Sequence, residues 1–270
     1  MQLGIGTYTY GWCFEQYKNT GVLPMTELDL INKTKKFNVS LLQIGDNLPL
    51  HTFGENRLAI FEKELQQNNI SIEIGARGLS VAHLQRYIHL CKRFGATILR
   101  FVIDNDEYKP AIKEVVEVIL AALYDLEANN ISLVLENHDR LKAKEYASII
   151  KQVNSKHVGI CLDTVNSMGT AEGLETIVET LAPHTLNLHI KDFGISRLPH
   201  KQGFIIDGRI AGKGLLDLPL LLNKLKQFGK CNSGILEQWV PFEKDINQTK
   251  IKELSWAEES MKYLRPLLKI

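Results

Sequence analysis

Paired cysteines, long apolar runs and a surplus of charge are all missing from this chain. Its four cysteines, at positions 13, 91, 161 and 231, lie far apart in 270 residues with no CxxC pair. That spacing argues against a disulfide framework and for a reduced, cytoplasmic protein. No stretch approaches the ~20 apolar residues of a membrane-spanning helix. The start, MQLGIGTYTYGW, lacks the basic residues and long apolar core of a secretory signal. Lysine and arginine number 32 against 31 aspartates and glutamates, a net charge of +1, so neither nucleic acid nor an anionic membrane is the expected partner. GxGxxG and HExxH are absent, and GRIAGKG lacks the spacing of a phosphate loop.

What is present is an ordinary globular composition, 44% hydrophobic and 23% charged. It is carried by eight short apolar runs, each followed by a helical pattern. The runs are Leu3–Thr7, Leu41–Asp46, Ile70–Gly75, Thr97–Ile103, Ile131–Glu136, Val158–Asp163, Thr185–Ile190 and Gly234–Glu237. Several are near-continuous in Ile, Val and Leu, as parallel strands covered on both faces require. Pro24 suits the opening of the first helix, and Gly95 and Gly229 suit helix ends. Eight alternating units at this length predict the α/β class, a (β/α)8 TIM barrel in a single domain over residues 1–270. The stretches 192–215, 239–249 and 7–23 read as long connections on one rim, where long loops are commonly functional.

Four of the runs end in a metal-ligand residue: Glu136, Asp163, His189 and Glu237. In a closed barrel the C-terminal ends of all strands open onto one face, so these residues converge. Period-two alternation puts Asn187, His189 and Lys191 on one face, too polar for a helix-covered outer surface. Three carboxylates and an imidazole in one cavity repel or lose charge unless a cation neutralises them. The oxygen-rich set predicts one divalent cation, Mn2+ first, with Mg2+, Co2+ and Zn2+ as alternatives. Cys161, weighed as a nucleophile, reads better as a small barrel-lining residue.

The segments LVLEN, ICLDT, LHIKD and ILEQW resemble the xylose isomerase-like family of sugar isomerases and epimerases along the whole chain. The resemblance implies that Glu136, Asp163, His189 and Glu237 bind the metal. It also implies that Glu136 and Glu237 act as acid and base on a small carbohydrate, and that the protein assembles as a homo-oligomer. Many epimerases of that family carry a histidine three residues after the strand-six aspartate, whereas this chain has Asn166. A neutral amide can bond a hydroxyl but cannot carry the charge. A narrower resemblance rests on GTYTYGW, QIGDNLPLH, RLPHKQGF, DGRIAGKGLLDLP and WAEESMKYLR, which are similar to the 3-oxo-isoapionate decarboxylases of apiose breakdown. It implies a carboxy-lyase acting on a 3-oxo sugar acid and giving a ketotetrose such as L-erythrulose, with isomerase or epimerase chemistry as the alternative.

A sugar acid also needs cations and hydroxyl partners. Lys191 is expected at the reacting centre, as proton donor or partner of the ketone oxygen. Arg197 and His200 on the long loop are expected to meet the substrate, with Lys201, Arg209 and Lys213 nearby. Asp46 and His51 are expected to grip hydroxyls, although Asp46-Asn47 equally suits a turn. His138 is expected either to orient a ligand or to lie on the surface. Tyr8, Tyr10 and Trp12 are expected to wall the sugar. Arg100, awkward within a strand, is expected to pair with Glu73 of the neighbouring strand.

Overall fold

The computed structural model describes residues 1–14 and 24–268; residues 15–23 of the expected rim segment lie outside the described residues. Eight strands close into one parallel barrel in the order β1-β10-β7-β6-β5-β4-β3-β2. They are β1 (Gln2–Gly6), β2 (Leu41–Ile44), β3 (Ser71–Arg77), β4 (Ile98–Val102), β5 (Ser132–Glu136), β6 (Val158–Asp163), β7 (Thr185–Ile190) and β10 (Ser233–Leu236). All eight expected runs are strands, within a residue or two at each end. Glu237 falls just beyond its strand.

The covering helices are α1 (Glu27–Lys36), α2 (Glu55–Gln67), α3 (Val81–Phe94), α4 (Ile112–Ala128), α5 (Ala143–Val153), α6 (Leu174–Leu181), α7 (Leu218–Phe228) and α8 (Ile246–Leu268). Their apolar stripes bury against the strands, as Leu84, Tyr87, Ile88 and Cys91 of α3 show. Gly95 and Gly229 stop α3 and α7 in the left-handed region, at φ +66° and +62°. Pro24 does not open α1. Thr26 caps that helix by accepting from the Asp29 amide while Asp29 bonds back to the Thr26 N–H, because a reciprocal capping box satisfies two end donors where proline satisfies none.

The connection after β7 is not an irregular loop. Its first part is an antiparallel hairpin, β8 (Asp192–Arg197) with β9 (Phe204–Arg209), in register from Asp192↔Arg209 to Arg197↔Phe204. The Asp192 carboxylate gathers the hairpin's base, accepting from the amides of Phe193 (2.8 Å), Gly212 (2.8 Å), Gly214 (3.0 Å) and Leu216 (3.0 Å). Gly208 presses against the chain beyond β10: a Cβ there would stand 1.7 Å from the Trp239 carbonyl oxygen.

Candidate metal centre

Inside the barrel the apolar strands carry a polar layer. Gln43 on β2, Glu73 on β3 and Asn187 on β7 are all buried, and each interrupts an otherwise apolar run. The Glu73 Oε2 accepts from Gln43 Nε2 at 2.9 Å and from Asn187 Nδ2 at 3.0 Å. Asn187 also donates to Ser233 Oγ at 2.7 Å. Burial pushes the Glu73 carboxyl up, against the pull of Ser233, Gln43 and His189. This layer is the floor of the site above it.

At the C-terminal end of β7, His189 is wholly buried. Its Nε2 lies 2.8 Å from Gln43 Oε1. Its Nδ1 faces Glu237 Oε1 at 3.1 Å, Glu136 Oε2 at 3.7 Å and Asp163 Oδ2 at 3.8 Å. Four strand ends thus deliver the expected set to one point. Burial would lower the imidazole pKa, but the Glu237 and Glu136 charges outweigh it and hold it up. Lys191 stands beside them, its Nζ 2.8 Å from Asp163 Oδ2 and 2.9 Å from Glu237 Oε2. Burial opposes that charge; Asp163, Glu237 and Glu136 more than restore it, so the ammonium is retained well above its usual range.

The donor set fits a divalent cation. Glu136 Oε2, Asp163 Oδ2, Glu237 Oε2 and His189 Nδ1 are buried atoms that converge on one another, with only Lys191 and Arg100 as charged partners. The four carboxylates Asp46, Glu136, Asp163 and Glu237 face only three cations, Arg77, Arg100 and Lys191, so around a neutral imidazole the mouth keeps a net negative charge that a cation would answer. Cys161 shares this neighbourhood, but its Sγ donates to Asn187 Oδ1 at 3.0 Å. Burial drives its thiol pKa far up, with the Glu136 charge adding to the effect, which leaves it a protonated lining residue.

Arg100 departs from expectation. Its guanidinium pairs with Asp46 Oδ1 at 2.6 Å and with Glu136 Oε2, not with Glu73. The register explains this. Arg100 stands opposite Gly75, two residues above Glu73, and its side chain passes over that glycine toward the rim. Arg77, which sequence reasoning overlooked, closes the other side of Asp46 at 2.9 Å, and Tyr8 adds its hydroxyl at 3.1 Å. Asp46 is therefore committed to two arginines, which hold its carboxyl below the usual range despite burial. The signal that marks Arg77 is a charged side chain at the C-terminal end of a strand, the same one that marks Glu136.

A cavity of about 580 Å3 opens over this centre, lined among others by Tyr8, Arg77, Asn166, Lys191, Ile206 and Trp239. Asn166 donates to Glu136 Oε1 at 2.6 Å and receives a long bond from Lys191 Nζ at 3.4 Å. His138 reaches the cavity with its Nδ1 on Asp139 at 2.6 Å. His51 does not face it. Its Nδ1 meets the Tyr87 hydroxyl at 2.8 Å, and its ring packs edge-on to His83. Arg197 lies exposed near the hairpin tip, donating to the Lys201 carbonyl at 2.9 Å and stacking over Phe204. His200 is exposed beside it and accepts from the Gln202 amide at 3.3 Å. Arg209 and Lys213 pair with Asp207 and Glu259. Tyr10 is core; Trp12 donates to the Val240 carbonyl at 2.8 Å and packs on Phe242. Among the described residues, no helix is long and apolar enough to cross a membrane.

Residues 55–267 match the family described as xylose isomerase-like TIM barrel. The 3-oxo-isoapionate decarboxylase of Pectobacterium atrosepticum is 26% identical over 264 residues, which are 98% of this chain and 95% of that protein. Among solved structures, the D-psicose 3-epimerase of Clostridium cellulolyticum H10 with D-tagatose superposes with a TM-score of 0.70 at 16% identity, covering 97% of this chain and 99% of that one. A xylose isomerase-like TIM barrel protein of Mycobacterium smegmatis in complex with magnesium gives 0.68 at 16% identity, covering 87% and 88%. These structural likenesses concern the fold.

Proposed function

The chain belongs to the xylose isomerase-like TIM barrel family, and from that footing we propose that it is a divalent-metal-dependent decarboxylase of a small 3-oxo sugar acid. The substrate is of the 3-oxo-isoapionate kind, and the products are CO2 and a ketotetrose such as L-erythrulose. Glu136, Asp163, His189 and Glu237 would hold the cation. Bound there, it would supply Lewis-acid polarisation of the substrate ketone.

The observation that carries the reaction class is the commitment of Glu136. One of its oxygens is held by Arg100 and the other by Asn166 at 2.6 Å. Arg100 overcomes the effect of burial and holds this carboxyl far below the usual range. A proton shuttle working at both faces of a sugar carbon needs two carboxylates free to take up and return protons. A β-keto acid decarboxylase needs an electron sink and one later proton donor. The bond to the carboxyl carbon breaks, its electron pair passes into the ketone as an enediolate, CO2 leaves, and a proton closes the carbon. Lys191 Nζ stands at the cavity wall in charged form to bond the oxygen that gains negative charge and to serve as that donor. Tyr8, Trp239 and Ile206 contribute apolar surface to the cavity wall above the site.

The test is to give purified protein with added Mn2+ the 3-oxo acid and measure CO2, then to give it ketoses in D2O and measure deuterium uptake. CO2 release without exchange is expected. Exchange into neutral ketoses without CO2 would establish the isomerase or epimerase instead, with Glu136 and Glu237 as acid and base.

A further inference from the structure

The polar layer beneath His189 has a direction. Glu73 Oε2 is a hydrogen-bond acceptor placed 2.9 Å from one end of the Gln43 amide, and Asn187 Oδ1, also an acceptor, lies 3.3 Å from the same end. Two acceptors require the NH2 group there. Turning the amide over would set Gln43 Oε1 against both buried oxygens at hydrogen-bond distance, with no proton between them. The Gln43 oxygen is therefore the end that meets His189 Nε2 at 2.8 Å, and an oxygen can only accept. Asn187 is oriented by the same logic, its NH2 serving Glu73 and Ser233 while its oxygen receives Cys161 and Gln43.

We infer that Gln43, locked by Glu73, holds His189 as the Nε2–H tautomer and so makes Nδ1 the nitrogen offered to the carboxylate cluster. Both are positioning residues: Gln43 bonds His189 at Nε2, away from the carboxylates around Nδ1, and Glu73 orients the ring by fixing the Gln43 amide. The strand register builds this relay. Gln43 is paired with Glu73 across β2 and β3, while Asn187 and His189, two apart on β7, stack inward one above the other. A ring nitrogen stripped of its proton and aimed at three carboxylate oxygens is repelled by all of them, and a cation at that point turns the repulsion into a ligand set. The inference rests on the metal reading for its purpose, but the tautomer can be read without metal.

The deciding measurement is 15N NMR of histidine-labelled full-length protein. In metal-free protein at alkaline pH, where the ring is neutral, His189 should show its proton on Nε2 and a bare Nδ1. With Zn2+ bound, Nδ1 should carry the ligation shift. A proton found on Nδ1 in the neutral ring overturns the inference. Calorimetric titration with Zn2+ provides the second readout. Gln43→Leu should weaken binding roughly 10–100-fold with unchanged circular dichroism, and an unaltered affinity counts against the relay. Should wild-type protein bind no Zn2+ or Mn2+, the metal reading fails, while the alkaline spectrum still decides the tautomer.

Discussion

The two sides of the barrel mouth deal with buried charge in opposite ways. On the side built by β2, β3 and β4, Asp46 lies between Arg77 and Arg100 with the Tyr8 hydroxyl on it, so its charge is answered within the protein. On the side built by β5, β6, β7 and β10, Glu136, Asp163 and Glu237 surround His189 with a single lysine among them. Arg100 reaches across and ties Glu136 to the first side. A charge cluster that balances itself is framework; one left in surplus is a receptor for charge from outside.

The comparison breaks first at Glu237. Glu237→Gln keeps the shape but removes one charge of the surplus, and turnover should fall roughly a thousand-fold or more with Mn2+ retention lost. Circular dichroism and the melting midpoint should hold. Exhaustive chelation should mimic this variant, and Mn2+ should restore the wild type alone. Lys191→Met removes the one cation inside the surplus cluster. CO2 release should drop roughly a hundred-fold, and Mn2+ should bind no more weakly than before.

On the balanced side the effect is on folding. Arg100→Met leaves Asp46 and Glu136 buried without their shared partner and should cost about 3–5 kcal/mol, measured by urea unfolding. A separate effect of burial is expected at Glu253 on α8. This carboxylate accepts from the Trp12 and Cys13 amides at 2.9 and 3.0 Å, yet burial raises its pKa from 4.5 to about 7. Between those values the unfolded chain has released the proton and the folded chain keeps it. Its contribution to stability is therefore full below pH 4.5 and is lost as pH rises to 7, by about 3 kcal/mol at most. Glu253→Gln should flatten that slope in denaturation curves taken across the window. Arg197→Ala and His200→Ala, exposed at the hairpin, should leave kcat/KM and stability within error.

The barrel and the convergence of its four strand-end residues were legible because both follow from strand geometry. A parallel strand buried on two faces needs an unbroken apolar run, and a charged residue at its C-terminal end can only face the mouth. Glu136, Asp163, His189 and Glu237 inherit their convergence from that rule. Period-two alternation places Glu73 and Arg100 in the interior but not at a common height, which is why the partner of Arg100 had to come from the register. The hairpin escaped notice because β9 is exposed along both faces at Phe204, Ile205 and Ile206, so no alternation marks it. Its cations have no register with the barrel, and their distance from the centre could not be deduced. His51 was displaced by a short 3-10 turn, Leu50–Thr52, that carries its ring behind the mouth toward Tyr87.

The Asp192 carboxylate has a further meaning for how such a barrel changes its substrate. By collecting amides from both ends of the excursion, it fastens the hairpin at the root and leaves the tip between Arg197 and Phe204 mechanically independent of the reacting centre. Residues can be exchanged or inserted at that tip without shifting a ligand atom. The tip can therefore drift while the chemistry stays fixed, and a swapped tip grafted above an intact clasp would leave the reacting centre as it is.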